Sequence, residues 1–252
     1  GRVTGAVSGG AGSTVTVGGT FTTENTFNVD NFAINAGGRL NIGHGVTTTS
    51  GMSNAGTLAV ASGVNATVTG NYTQAAGGNF EINVSAPDNF GTLAVTGTAD
   101  LSASGLVTVN LPDLLTLAKV GDGTVINNVL TAGTLTAGTL TTTDSNVFYS
   151  ATALTDGNTI DLVIERDQLA ADLVADAGLP FAGGAAQAVD NLLDAGGGST
   201  DINNVLSELS SLPTNQAAAN AIAQLVPVLA GRGTIAATQA MDATMGLVRS
   251  RF

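Results

Sequence analysis

Residues 71–111, NYTQAAGGNFEINVSAPDNFGTLAVTGTADLSASGLVTVNL, decide how the rest of the chain is read. Phe80 and Ile82 alternate with polar neighbours, as do Leu93 and Val95, and Val107 and Val109. A glycine stands just ahead of each pair: Gly78, Gly91 and Gly105. A period of two over a few residues, punctuated by glycine, predicts short strands pinned by tight turns.

Upstream the same unit recurs. GGRLNIGHG at 37–45, AGTLAVASG at 55–63, GGNFEINV at 77–84 and FGTLAVTG at 90–97 follow at offsets of 18, 22 and 13 residues. An imperfect repeat of this length matches the coil of a parallel β-solenoid, in which each turn buries its inward alternate residues on the last. STVTVGGTFTTENTFNV, at 13–29, fits the scheme with Val15, Val17, Phe27 and Val29 inward. A β-sandwich with strands every 8–12 residues is the competing reading.

Downstream the pattern changes twice. Pro112 interrupts the strands, and DLLTLAKVGDG follows as a short mixed segment. Val147, Tyr149, Leu154, Ile160, Leu162 and Ile164 then make two alternating runs across Asp156-Gly157-Asn158. An Asp-Gly step between such runs predicts a hairpin, one that would end a parallel stack and cover its last coil. From about Asp167 the period moves toward 3.6. Val189, Leu192 and Leu193 share a helical face, and Gly196 to Gly198 break it. Asp201 is placed to cap a second helix carrying Ile202, Val205, Leu206, Leu209 and Leu212. Thr214 is placed to cap a third, with Ile222, Leu225, Val226 and Leu229, a break at Pro227 and a stop at Gly231. A last stripe, Met241, Met245, Val248 and Phe252, falls at i, i+4, i+7 and i+11 with no partner in sight.

Composition narrows the classes. Of 252 residues, 43% are apolar but only 4% aromatic, and 34 are glycine, which favours many short strands with aliphatic interiors. Charged residues are 10%, the net charge is −12, and Lys119 is the single lysine. Such a surface has nothing to grip a phosphate backbone, so nucleic acid is excluded as a partner and anionic lipid is disfavoured. Without cysteine there is no disulfide framework and no thiolate chemistry. No 18-residue apolar run exists to cross a membrane as a helix. The opening GRVTGAVSGG carries no leader, and the expectation is an internal start from which a leader has been removed.

Chemistry has little to work with. His44, the only histidine, sits in IGHGV and reads as an exposed turn residue, not a triad member. Glu24, Asp30, Glu81, Asp88 and Asp100, with Arg39 the lone interior base, look too scattered for a polysaccharide lyase or hydrolase. Glu165, Asp167, Asp172, Asp176, Asp190 and Asp194 lack any calcium-loop spacing and read as a solvated, self-repelling linker. The threonine runs 14–16, 47–49 and 134–143 are uneven for an ice-binding ladder and read as outward strand residues. No catalytic, cofactor-binding or metal-binding residue is therefore assigned, and no cofactor is expected.

NYTQAAGGNFEINV, followed by FGTLAVTGTADLSASGLVTVNL, resembles the C-terminal stem of classical autotransporter passengers, with its Tyr-x-Gln, its Gly-Gly strand and its Leu-x-Val-x-Gly-x-Ala strand. NNVLTAGTL and GNTIDLVIERD look like the autochaperone region of that family, and NQAAANAIAQLVPVL like its helical linker. The detailed match runs from about Ala55 to Phe252; residues 1–54 agree in style alone. The resemblance implies an all-β fold, a right-handed parallel β-helix with a C-terminal hairpin cap and a short α-helical tail. It divides the chain into a stem (1–111), an autochaperone-like cap (112–166) and a helical linker (167–252). It also implies a non-enzymatic passenger exported through the periplasm to the bacterial outer surface. Its partners would be an outer-membrane translocator barrel and the assembly machinery, and then a host surface or another cell. Asn127 to Ile164 would nucleate folding. The sequence departs from the family in lacking the alternating ten-residue strands of the barrel. Asn203-Asn204 is read as a coincidence rather than the family's cleavage step, and Asn127-Asn128 as strand or turn. The alternative is a self-assembling solenoid that forms a homo-oligomer, filaments or a surface matrix.

Overall fold

The computed structural model describes residues 2–111 and 123–226. The readings at Pro112, residues 113–122, Pro227, Leu229, Gly231 and the Met241–Phe252 stripe lie outside those residues. Of the described residues 48% are strand and 20% helix, and the strands form parallel ladders in two sheets.

In the first sheet Arg2–Val3, Thr20–Thr23, Arg39–Ile42, Thr57–Val60, Asn79–Ala86, Leu106–Asn110 and Thr141–Asp144 lie side by side in chain order. Every pair along that path is parallel. Only Asn89–Phe90, beside Asn79–Ala86, runs antiparallel. The second sheet alternates with the first along the chain. It passes through Val7–Ser8, Phe27–Ile34, Val46–Asn54, Tyr72–Gln74, Thr92–Leu101 and Thr124–Ala137, with Thr14–Val17 and Asn65–Thr69 alongside.

The registers define the repeat. Arg39 faces Thr57, Leu58 faces Phe80, Phe80 faces Val107 and Leu106 faces Thr141, so partners lie 18, 22, 27 and 35 residues apart. The offset of 13 read between GGNFEINV and FGTLAVTG is not a rung. Thr92–Val95 belongs to the second sheet and pairs with Asn65–Val68. Alternation reports that a strand has one buried face; it does not report which sheet the strand joins.

Because like positions stack, the interior is built of ladders. Leu40, Leu58, Phe80 and Val107 form one, and Ile42, Val60, Ile82 and Val109 another, all at 0–2% exposure. Each such side chain contributes about 1.5–3 kcal/mol of burial. Phe27 anchors the early rungs through edge-on contacts with Phe21 at 5.9 Å and Phe32 at 5.6 Å. Val17, Phe27 and Val29 are buried as expected, and Val15 is half-buried.

The glycines ahead of the first-sheet strands have a different cause from the one expected. Gly38, Gly56, Gly78 and Gly105 occupy one column. A Cβ on Gly56 would lie 2.2 Å from the Gly38 carbonyl oxygen, and one on Gly78 would lie 2.2 Å from that of Asn54. The backbone of the neighbouring rung fills the space a side chain needs. At the 75–78 turn it is Gly77, with φ 79°, that supplies the left-handed conformation.

The same corner holds a network of fully buried polar side chains. Asn54, Tyr72 and Gln74 are all at 0% exposure. Asn54 Nδ2 donates to Tyr72 Oη (3.1 Å) and to the Asn79 carbonyl (2.9 Å), while Asn54 Oδ1 accepts from the Gly56 amide (3.1 Å). Tyr72 Oη donates to Gln74 Oε1 (2.9 Å), and Gln74 Nε2 donates to the Ser104 and Leu106 carbonyls (2.8 and 2.9 Å). Asn54 and Gln74 thus satisfy backbone groups that the turn between sheets leaves without ladder partners, and Tyr72 links the two. The Tyr-x-Gln of the quoted stretch is this network.

At its far end the second sheet stops being parallel. Tyr149–Asp156 and Thr159–Arg166 form the expected antiparallel hairpin, turning through Gly157 with φ 59°. Thr159–Arg166 pairs antiparallel with Thr124–Ala137. Leu154 was expected inward but is 49% exposed; Tyr149, Ala151 and Ala153 carry the buried face. The small alanines leave room for the last ladder rung. Asn127-Asn128 is a bulge in Thr124–Ala137. Asn128 sits at φ 62°, and its amide donates to Asp161 Oδ1 at 2.6 Å.

Among the described residues α-helices follow at α1 (Ala170–Asp176), α2 (Gly183–Asp194), α3 (Thr200–Ser210) and α4 (Asn215–Gln224). Ser199, not Asp201, is the N-cap of α3; Asp201 lies in the first turn, where it still opposes the helix dipole. Thr214 caps α4 as expected, its Oγ1 accepting from the Ala217 amide at 3.1 Å. Leu173, Val174, Val189, Leu193, Leu206, Leu209 and Ile222 are buried in the same continuous core as the strands. Ile202 and Val205 of α3, read as part of its inward face, are instead 39% and 42% exposed.

Candidate functional site

A polar hollow lies where the last first-sheet strand meets the helices. It is a cleft of about 440 Å³ between the 144–150 turn, Asp167 and Gln168, and the 211–215 connection between α3 and α4. Asn146 shapes the first wall: its Oδ1 accepts from the Phe148 and Tyr149 amides at 2.9 and 3.2 Å. The Asp167 and Gln168 amides donate to the Phe148 carbonyl at 3.3 and 3.4 Å. The Val147 amide donates to the Ser210 carbonyl at 3.0 Å, tying the helices to the strands.

Two carboxylates line this cleft. Burial pushes Asp144 above the ordinary carboxylate value, against the pull of hydrogen bonds from the Asn146 and Ala151 amides. Burial also pushes Asp167 up, and the Asp144 charge adds to the rise. Among the described residues no cation lines the cleft. The pair can take up a proton more readily than free aspartates. The rest of the described wall is side-chain amides, serine and threonine hydroxyls, the Tyr149 ring and three aliphatic side chains. Among the described residues no group of three or more His, Cys, Asp or Glu could hold a metal ion.

The residues weighed in the sequence fall elsewhere. His44 is exposed at the bend between Arg39–Ile42 and Val46–Asn54. Asp88 is exposed in a turn. Asp30 is held below the usual carboxylate range by Ser50 Oγ and the Gly12 amide, and Asp100 likewise by Ser102. Arg39 and Glu81 are not scattered. They meet in a two-pronged ion pair with contacts of 2.6 and 2.5 Å. Asn110 Nδ2 adds a third bond to Glu81 at 2.7 Å. The rung between them carries Ala59, whose methyl leaves Arg39 room to reach across to Glu81. The pair braces three rungs of the outer face.

The acidic run beyond Glu165 is likewise not a free linker. Arg166 Nη2 bonds Asp190 Oδ1 at 2.6 Å, and Arg166 Nη1 pairs with Asp194. Asp190, 3% exposed, also accepts from the Ala170 and Ala171 amides at 2.8 and 3.0 Å, which caps α1 from α2. Glu165, Asp172 and Asp176 stay exposed, as expected. The charge count concealed the role of Arg166, the only base in that segment. Of the threonine runs, Thr48 is buried at 6% exposure, while Thr134 and Thr136 lie beside Thr98 and Asp100 in the sheet. Asn203 Oδ1 accepts from the Gly198 amide at 2.7 Å, a helix-start contact.

No protein family, curated protein or solved structure matches this chain.

Proposed function

We propose that this chain is a structural, non-enzymatic stem: a right-handed parallel β-helix of the autotransporter-passenger kind that folds from its C-terminal cap. In this reading the chain crosses to the outer surface of a bacterium through a barrel partner and holds a display region away from the cell. The single observation that supports it is the sequence of pairings. Rungs run parallel from residue 2 to Ala137, and then a hairpin closes the second sheet antiparallel and helices share its core. A parallel edge is a template, and the hairpin gives the first rung to be laid down something already paired to build on. A local hairpin also forms faster than a parallel rung whose partners lie 18 to 35 residues apart.

The test is a pair of refolding experiments. Leu162→Asp, in the buried face of the hairpin, is expected to abolish protease resistance of residues 2–111 as well as of the hairpin itself. An equally disruptive Leu40→Asp near the other end is expected to leave the hairpin end resistant. Equal effects from the two would defeat directional templating. The second reading, end-to-end assembly, is favoured by Arg2–Val3 and Val7–Ser8, each of which pairs on one side only among the described residues. Filaments in negative-stain images of the purified chain would support that reading over the stem.

A further inference from the structure

The apolar side of α3 is not covered by the described residues. Ile202, Val205 and Leu225 are 39%, 42% and 43% exposed. They separate two hollows of about 280 and 380 Å³, walled mainly by aliphatic side chains. Among the described residues the charges on the rims are Asp201 and Glu208. A contiguous apolar groove with an acidic rim calls for an apolar occupant that carries positive charge.

The chain itself contains such a segment. After Val226, 26 residues remain. They include Arg232, Arg249 and Arg251 against the single acid Asp242, in a chain of net charge −12. Met241, Met245, Val248 and Phe252 recur at helical spacing, so one face would be apolar with Arg249 and Arg251 flanking it. Leu225, a wall of both hollows, stands next to the point where that segment begins. The 14 residues from Pro227 to Ala240 reach about 45 Å when extended, ample to return to the groove.

We propose that the groove between α3 and α4 seats residues Met241–Phe252 of the same chain. The groove would then complete the helical end, and release of the segment would expose an acid-rimmed apolar surface. This proposal stands apart from the stem reading, because it concerns one chain in solution with no barrel present.

The absence of cysteine makes the test clean. In the full chain, the double variant Val205→Cys with Met245→Cys is oxidised with copper–phenanthroline at low micromolar concentration. A disulfide within one chain is expected, and the pair Val205→Cys with Thr234→Cys is expected to form far less. Disulfide-linked dimers alone would mean that a second copy fills the groove, and no bond at all would mean that the segment does not; either overturns the proposal. As a second readout, Met245→Asp with Phe252→Asp leaves the described core untouched. It is expected to speed amide exchange over residues 202–209 by about tenfold or more, since burying one side chain of this size outweighs a factor of ten. Unchanged exchange would overturn the proposal.

Discussion

The two ends of this molecule bury polarity by different means. Inside the ladder of residues 2–111 the fully buried polar groups are neutral: Asn54, Tyr72 and Gln74 bond one another and backbone groups, while the buried charge of Glu81 is paired with Arg39 on the outer face. Where the hairpin meets the helices a buried charge takes that part: Asp190 holds Arg166 and two amides, while Asp144 and Asp167 line a cleft open to solvent. That corner leaves backbone amides and carbonyls without ladder partners, and side-chain amides meet both kinds. A junction of strands and helices presents a helix start instead, where a carboxylate serves best. The ladder thus depends on close backbone contact, and the cap depends on charge.

The largest effect is expected from breaking backbone contact. Gly56→Ala places a methyl 2.2 Å from the Gly38 carbonyl oxygen and 2.5 Å from that of Asn35. Neither is the movable end of a side chain, so the rungs must part. A loss of about 4 kcal/mol or more, or failure to fold, is expected in urea unfolding. Gly184→Ala, at an open site in α2, is the matched control and should be neutral or better. If both glycines tolerate alanine equally, the ladder does not depend on that contact.

Next comes the neutral network. Gln74→Ala removes the donor to Ser104 and Leu106 and the acceptor of Tyr72 Oη. Stranding these buried groups should cost about 3 kcal/mol. Because none of them is an ionised carboxylate, the loss should be the same at pH 5 and pH 8. Tyr72 and Tyr149 are the only tyrosines in a chain without tryptophan, so single-Tyr variants report each end separately by fluorescence.

How far the sequence foretold these elements follows from the range of each interaction. Alternation located the strands around Phe80, Leu93 and Val107 because the pleat imposes its period within a few residues. It misassigned Leu154, since a hairpin register one residue over puts the alanines inside. Thr214 was legible as a cap because its partner amide is three residues away. Arg39 and Glu81 are 42 residues apart, and only the stacking brings them together. The cleft was not legible at all. Asp144 and Asp167 are 23 residues apart, and the cleft they line is walled by the 211–215 connection, which no local pattern announces.

The smallest expected effect is also the one that separates the two ends by sign. Asp144 and Asp167 have folded values above the ordinary 3.8, so the folded state binds the proton more tightly than the unfolded chain does. Their contribution to stability is fullest below that value and is lost as pH rises through the folded values. Asp30 and Asp100 are held below 3.8, so their contribution is present above it and is lost as pH falls through their folded values. Acidification from pH 6 toward pH 4 should therefore tighten the junction of hairpin and helices, whereas the exposed turns of the ladder loosen only below that range. Asp144→Asn should remove most of the acid gain at the Tyr149 end and leave the Tyr72 end unchanged. The gain at neutral pH would be roughly half a kcal/mol, because both carboxylates keep contact with solvent. If Asp144→Asn instead weakens the Tyr149 end at pH 7, the hydrogen bonds from Asn146 and Ala151 outweigh the burial and repulsion. The carboxylate would then be a structural cap, like Asp190.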